Sequence, residues 1–185
     1  MSQRIAVPLP KSYLLLNHGP TVLVSSAHGG RQNVMAAAWN MALDFDPSKV
    51  AVVIDKATLT RELVEASGEF VLSVPSREQA ALTLAVGTRS GREIDKFSTV
   101  GAGATAASVG GAPLIEGCLA WLECRVIAEP HIQRTYDLFL AEVVAAWADP
   151  DAFSNGRWHF PDDARHSIHY QAGGSFFATG ETFEV

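Results

Sequence analysis

The sequence predicts a mainly β protein with a few helices, its strands arranged as an antiparallel barrel. Three observations predict it. Apolar, β-branched runs of strand length recur at 21–27, 50–54, 69–74, 119–128 and 138–147. Most connections between them are short and turn-rich, without the repeated strand–helix–strand spacing of a doubly wound parallel sheet. The two longest runs flank a polar turn around Gln133-Arg134-Thr135, which pairs them antiparallel.

Local chemistry justifies each element in turn. Thr21 to Ala27 is a strand, His28-Gly29-Gly30 supplies turn residues, and Asn33 to Leu43 resumes an extended run, so the three form a hairpin. Val50-Ala51-Val52-Val53-Ile54 is a continuous apolar strand running into Asp55. A short helix follows over Arg61 to Ala66, with Thr60 as its N-cap, Leu59, Leu63 and Val64 on one face, and Gly68 as its stop. Glu69 to Val74 is a strand broken by Pro75, and Arg77 to Val86 has helical composition up to Gly87. Residues 87–117 hold many glycines and read as a surface loop with one helical turn. In the two long strands, Glu123, Arg125 and Glu142 alternate with apolar neighbours, the pattern of a half-buried sheet.

Composition narrows the functional classes. At 185 residues, 1–185 is expected to form one domain, and 48% hydrophobic against 18% charged residues is too apolar for disorder. Fourteen Lys and Arg against 20 Asp and Glu give a net charge of −6, which argues against nucleic-acid partners. The segment from Met1 to Pro10 has no apolar core of secretory length, and no run approaches the roughly 18 residues that span a bilayer. A cytoplasmic protein without a membrane partner is expected. Cys118 and Cys124 form no CxxC pair; their even spacing places them on one strand face, about 20 Å apart, as buried free thiols.

Two segments carry chemistry. Lys56, Thr58, Thr60 and Arg61, next to Asp55, gather two cations and two hydroxyls at the start of a helix whose amides favour an anion, and this suits a phosphate. The same residues also fit a solvated strand-to-helix connection with an ordinary cap. Asn33, Val34, Met35, Ala36, Ala37, Ala38 and Trp39 offer small side chains and close backbone amides to a flat heteroaromatic ring, or else form a tightly packed strand. Gly87 to Phe97, containing Asp95, Lys96 and Phe97, has the glycines and paired charges of a mobile loop. His166 and His169 make an HxxH spacing without the further ligands of a metal centre, so no metal is expected. Gly101-Ala102-Gly103-Ala104-Thr105-Ala106 matches a dinucleotide-binding turn, but the preceding run is too short and polar for a buried strand, and Gly110, Gly111 and Pro113 break the helix that should follow.

The runs Asn33 to Asn40, Asp55 to Glu62, Gly91 to Phe97 and His169 to Phe177 together resemble the flavin reductase-like, FMN-binding split-barrel family, to which flavoredoxins are close. The resemblance spans roughly residues 11–180 and implies an antiparallel Greek-key split β-barrel. It implies FMN, with Asn33 to Trp39 flanking the ring and ribityl chain and Asp55 to Arg61 against the phosphate. Asp95, Lys96 and Phe97 correspond to a cofactor and dimer region. His169, Tyr170, Phe176 and Phe177 correspond to a segment closing over the pocket, with His169 a candidate partner of flavin or substrate. The implied protein is a homodimer with flavin at its interface, taking hydride from NADH or NADPH and passing electrons to an acceptor protein or monooxygenase. Two alternatives stay open: an electron carrier reduced by a partner protein, and a dimeric split-barrel module without flavin.

Overall fold

The computed structural model describes residues 4–185. Residues 1–3, the start of the Met1 to Pro10 segment, lie outside the described residues. The chain runs through β1 (Ile5–Ala6), the hairpin β2 (Val22–His28) and β3 (Arg31–Ala37), and a second hairpin, β4 (Asn40–Phe45) and β5 (Ser48–Val53). Helix α1 (Leu59–Ser67) leads to β6 (Glu69–Val74), α2 (Ala80–Thr88), the single turn α3 (Lys96–Thr99) and the ribbon β7 (Ala104–Thr105) and β8 (Leu114–Ile115). Strands β9 (Ala120–Ile127) and β10 (Leu138–Ala148) flank α4 (Pro130–Tyr136). Two further ribbons follow, β11 (Phe153–Ser154) with β12 (Arg157–Trp158), and β13 (Ile168–Ala172) with β14 (Ser175–Ala178).

The main sheet is antiparallel in the order β3-β2-β6-β9-β10-β5-β4, with β1 added to β10. Its two end strands, β3 and β4, do not pair, yet only Ala38 and Trp39 separate them in the chain. Three peptide steps reach at most about 11 Å, so the sheet must curl until its ends meet. The result is a barrel split along one seam, the mainly β architecture expected, with β5 connecting through α1 to the non-adjacent β6 in Greek-key fashion.

Alternation along the strands separates two apolar layers. Val22, Val24, Val50, Val52, Phe70, Leu72, Leu122, Phe139 and Val143 fill the barrel, while Leu23, Val34, Val71 and Trp121 face outward beneath α2 and the β7–β8 ribbon. Glu123 lies in the sheet yet is 2% exposed, not on a wet face as its alternation suggested. Burial alone would raise its carboxyl, but donors from Ser108, Val109 and Trp147 outweigh it and the net shift is downward.

Several expectations are corrected. The extended run 33–43 is two strands, broken where the chain crosses the seam at Ala38 and Trp39. The polar turn at 133–135 belongs to α4, which Pro130 starts and Asp137 ends in the left-handed region at φ 54. Segment 87–117 does contain a helical turn, but Ala102, Ala112, Leu114 and Ile115 within it are buried. Both cysteines are free and buried, with thiols pushed up by that burial; Cys118 precedes β9 and packs in the outer layer, so strand parity does not put it on the face of Cys124. Among the described residues no helix is long and apolar enough to cross a membrane.

Candidate functional site

A cleft of about 450 Å³ opens at the seam, a size typical of small-molecule and cofactor sites. One wall is the crossover itself, Met35, Ala36, Ala37, Ala38 and Trp39. The facing wall is α2, through Thr83, Leu84, Gly87 and Thr88. Val53 and Asp55 from the end of β5 and Tyr136 and Asp137 from the end of α4 form one flank, and Thr21, Tyr170 and Phe176 complete the lining. Gly87 is needed for the approach of the two walls: a Cβ there would meet the Ala36 Cβ at 3.1 Å. The lining is mostly apolar and carries two carboxylates but no Lys or Arg; the exposed Lys56 follows Asp55 directly in the chain.

The helix beside that flank begins two residues earlier than expected. Thr58, not Thr60, is its N-cap: the Thr58 Oγ1 accepts from the Arg61 amide at 3.1 Å, and Gly68 closes the helix at φ 72. Asp55 sets this start, because its carboxylate accepts from the Ala57 amide and its carbonyl from the Thr58 amide. Thr60 is instead fully buried, its hydroxyl accepting from Asn33 Nδ2 at 2.9 Å. Arg61 is 5% exposed and spends its guanidinium on Glu65, Asp137 and the carbonyls of Ile54 and Gln133. Of the proposed phosphate cluster, Lys56 is therefore left exposed, Thr58 gives its hydroxyl proton to the Asp55 carbonyl at 2.7 Å, and Thr60 and Arg61 hold the scaffold.

The loop after α2 is latched to this scaffold. Lys96 is 4% exposed and donates to the carbonyls of Val34 at 2.9 Å and Val86 at 2.7 Å, tying β3 to α2. Asp95 caps the turn through the Phe97 amide, and bonds from Ser98 and Phe97 hold its carboxyl below the usual range. Glu62 bridges Arg92 of this loop and Arg31 of β3. Gly91 lies so close to Asn33 that a Cβ would sit 2.2 Å from the Asn33 Oδ1. Gly91→Ala is accordingly expected to cost about 1 to 3 kcal/mol of stability in urea denaturation, and an Asn33→Ala background should remove most of that cost. An equal cost in both backgrounds refutes the contact.

The match to known proteins decides the family. Residues 15–169 fit the model of the flavin reductase like domain. The chain belongs to the flavin reductase-like family. The Escherichia coli protein YddH is 44% identical over 184 residues, covering 98% of this chain and 97% of the relative. The crystal structure of an FMN-binding domain of a flavin reductases-like enzyme from Shewanella baltica superposes with a TM-score of 0.97 at 49% identity, covering 100% of this chain and 98% of that one. Flavoredoxin of Desulfovibrio vulgaris shares the fold, with a TM-score of 0.79 at 24% identity over 90% of each chain.

Within this flavin reductase-like frame, sequence reasoning named one wall of the cleft and missed the other. His169 does not line it. Successive residues of β13 face opposite ways, so Tyr170 reaches the cleft while His169 stacks on Phe177 at 4.9 Å and meets His18 edge-on. Burial lowers the His169 pKa, and burial together with His169 lowers that of His18 to about 4. Asn33, Val34, Asp95, Lys96 and Phe97 are not among the lining residues. Thr21, Thr83, Leu84, Thr88, Tyr136 and Asp137 were missed, and only Thr83 carried a sequence signal, a lone hydroxyl in the apolar run 80–87. The cleft's mostly apolar lining, with the small residues Ala36, Ala37 and Ala38 on one side and hydroxyl and carboxylate groups at Thr21, Thr88, Tyr136, Asp55 and Asp137, fits a planar ring with a polar edge.

Proposed function

We propose that this protein is an FMN-binding flavin oxidoreductase that draws hydride from NADH or NADPH and hands the electrons to an acceptor. The observation that carries this reading is the seam cleft, walled by Ala36, Ala37 and Ala38 on one side and by α2 through Leu84, Gly87 and Thr88 on the other. Bound FMN supplies a two-electron acceptor that needs no protein acid or nucleophile. The chain's work is placement. Small side chains at Ala36, Ala37 and Ala38 bring backbone close to the ring, and Leu84, Met35 and Phe176 exclude water. Lys56, beside the positive end of α1, receives the phosphate outside the acidic lining.

A homodimer follows from the edge strand. Trp39, Met41, Leu43 and Phe45 are 75%, 54%, 46% and 62% exposed, while Ala42 between them packs on the barrel core. This apolar row stands on the outer face at one end of the sheet and continues into the cleft through Trp39. A second copy covering that row would enclose the cleft and turn it into an interface site.

Titrating purified protein with FMN and then adding NADH or NADPH without oxygen tests the reading, with sedimentation reporting assembly. Saturable FMN binding, loss of visible flavin absorbance with a nicotinamide, and a dimer are expected. Reduction by a protein donor but by neither nucleotide would make it an electron carrier instead. Absence of FMN binding overturns the proposal.

A further inference from the structure

We infer that His18 and His169, packed ring against ring on the side of β13 away from the seam cleft, are positioning residues for that cleft; the inference rests on the FMN reading above. As a neutral pair they hold Tyr170 and Phe176 in place. Protonation loosens that hold, and flavin escapes faster in acid. Tyr170 and Phe176 are register partners in the β13–β14 ribbon, and both line the cleft. A short clasp, residues 18–21, joins this ribbon to the barrel. The Thr21 amide donates to the Ile168 carbonyl at 2.8 Å, the Tyr170 amide donates to the Thr21 hydroxyl at 2.7 Å, and His18 Nε2 meets the Ser167 hydroxyl at 2.9 Å. At the ribbon's root the Arg77 amide donates to the His166 carbonyl at 2.7 Å, so loss of the clasp leaves a hinge.

Charge is poorly tolerated in the clasp. His18 lies edge-on to Trp158 at 4.9 Å and to His169 at 5.9 Å, and His169 stacks on Phe177. His18 Nδ1 is buried without a hydrogen-bond partner, so a proton added there meets no acceptor. The cavity around the two rings is otherwise lined by aromatic, small and hydroxyl residues, without Asp, Glu, Lys or Arg. Neighbouring ionisable groups are engaged elsewhere: His166 stacks on Phe160 and bonds the Thr179 hydroxyl, Arg157 pairs with Glu184, Arg165 with Asp149 and Arg77 with Asp163. Glu181 is exposed and outside the lining. Burial, with His169 beside it, accordingly lowers the His18 pKa from 6.5 to about 4, and burial lowers that of His169 against an opposing bond from the Gly19 backbone. With the ribbon lifted, His18 regains water. Below pH 6.5 the lifted state takes up a proton that the clasped state excludes, so clasping weakens as the pH falls from 6.5 to about 4.

His18→Gln keeps a donor for Ser167 without a titrating ring, and His169→Gln removes the second charge. The measurements, from about pH 7.5 to 5, are the FMN dissociation rate, far-ultraviolet circular dichroism, and exchange of the Thr21 and Tyr170 amides in FMN-free protein, corrected for intrinsic exchange. Dissociation from the parent is expected to accelerate by roughly 5- to 30-fold over this range, with circular dichroism unchanged. The FMN phosphate also titrates here, but it does so in every variant, and the difference between slopes isolates the histidines. His18→Gln should flatten the rise and His169→Gln should reduce it. Amide protection should fall with pH more steeply in the parent than in His18→Gln. Parallel slopes in parent and His18→Gln overturn the inference and leave the FMN site standing, whatever the absolute rates. Loss of fold before FMN leaves also overturns it, as general acid unfolding. Parent protein that binds no FMN removes the site reading, and amide exchange then decides for the clasp alone.

Discussion

Arg61→Ala is expected to cost about 2 to 4 kcal/mol of folding free energy in the absence of any flavin. Four of the five N–H donors of this guanidinium are committed: Nε to Glu65 at 2.6 Å, Nη1 to the Ile54 carbonyl at 3.0 Å and to Asp137 at 3.1 Å, and Nη2 to the Gln133 carbonyl at 2.9 Å. The group also lies over the Phe139 ring at 4.6 Å. Truncation strands two carbonyls and the Asp137 carboxylate. Glu65, with a side chain 53% exposed, finds water and contributes little. Arg61→Lys should recover only part of the loss, because a single ammonium cannot serve acceptors on α4, β5 and Asp137 at once. Urea denaturation of flavin-free protein measures this. A change within about 0.5 kcal/mol, the scale of an ordinary surface substitution, would show that Arg61 is dispensable to the scaffold. Since Tyr136 and Asp137 line the cleft, weaker flavin binding in Arg61→Ala follows from their displacement and does not require Arg61 to touch phosphate.

Lys96 governs the second large effect, a rise in stability at alkaline pH. Burial lowers its pKa from 10.5 to about 8. Between those values the unfolded chain holds a proton that the folded protein has shed, so raising the pH favours folding. This contribution is complete above pH 10.5 and is lost as the pH falls through 8. Its size is about 1 to 3 kcal/mol, and it should appear as the difference in pH slope between the parent and Lys96→Met, which has no titrating group at that position. Parallel slopes across this window would sink it. Lys96→Met should also loosen the cleft walls, because the Nζ bonds to the Val34 and Val86 carbonyls join β3 to α2.

The strand pattern, the Gly29-Gly30 hairpin and the Gly68 helix stop were legible because each depends on residues close in sequence. Both hairpin glycines are left-handed, at φ 56 and 77, as is Gly68 at 72. The N-cap was misplaced by two residues because Thr58 and Thr60 look alike locally. What separates them is Asn33, 27 positions away, which occupies the Thr60 hydroxyl. The break at Ala38 and Trp39 was hidden for a similar reason: it exists only because the chain must jump from one end of the sheet to the other. The resemblance offered His169 as a partner of flavin or substrate, but strand parity turns it from the cleft and brings Tyr170 there, and parity needs the register of β13 to be known.

By itself the sequence determined the mainly antiparallel β class, the family, and the alanine wall at 36–38, since periodicity, turn residues and motifs are short-range properties. Only the tertiary structure decided which polar groups face the cleft. A cation such as Arg61 or Lys96 announces its charge in the sequence, but whether that charge meets a ligand or a buried carbonyl depends on distant segments folded against it. Thr83 shows the converse: an unremarkable letter becomes an unsatisfied donor once the helix and the barrel seam enclose it.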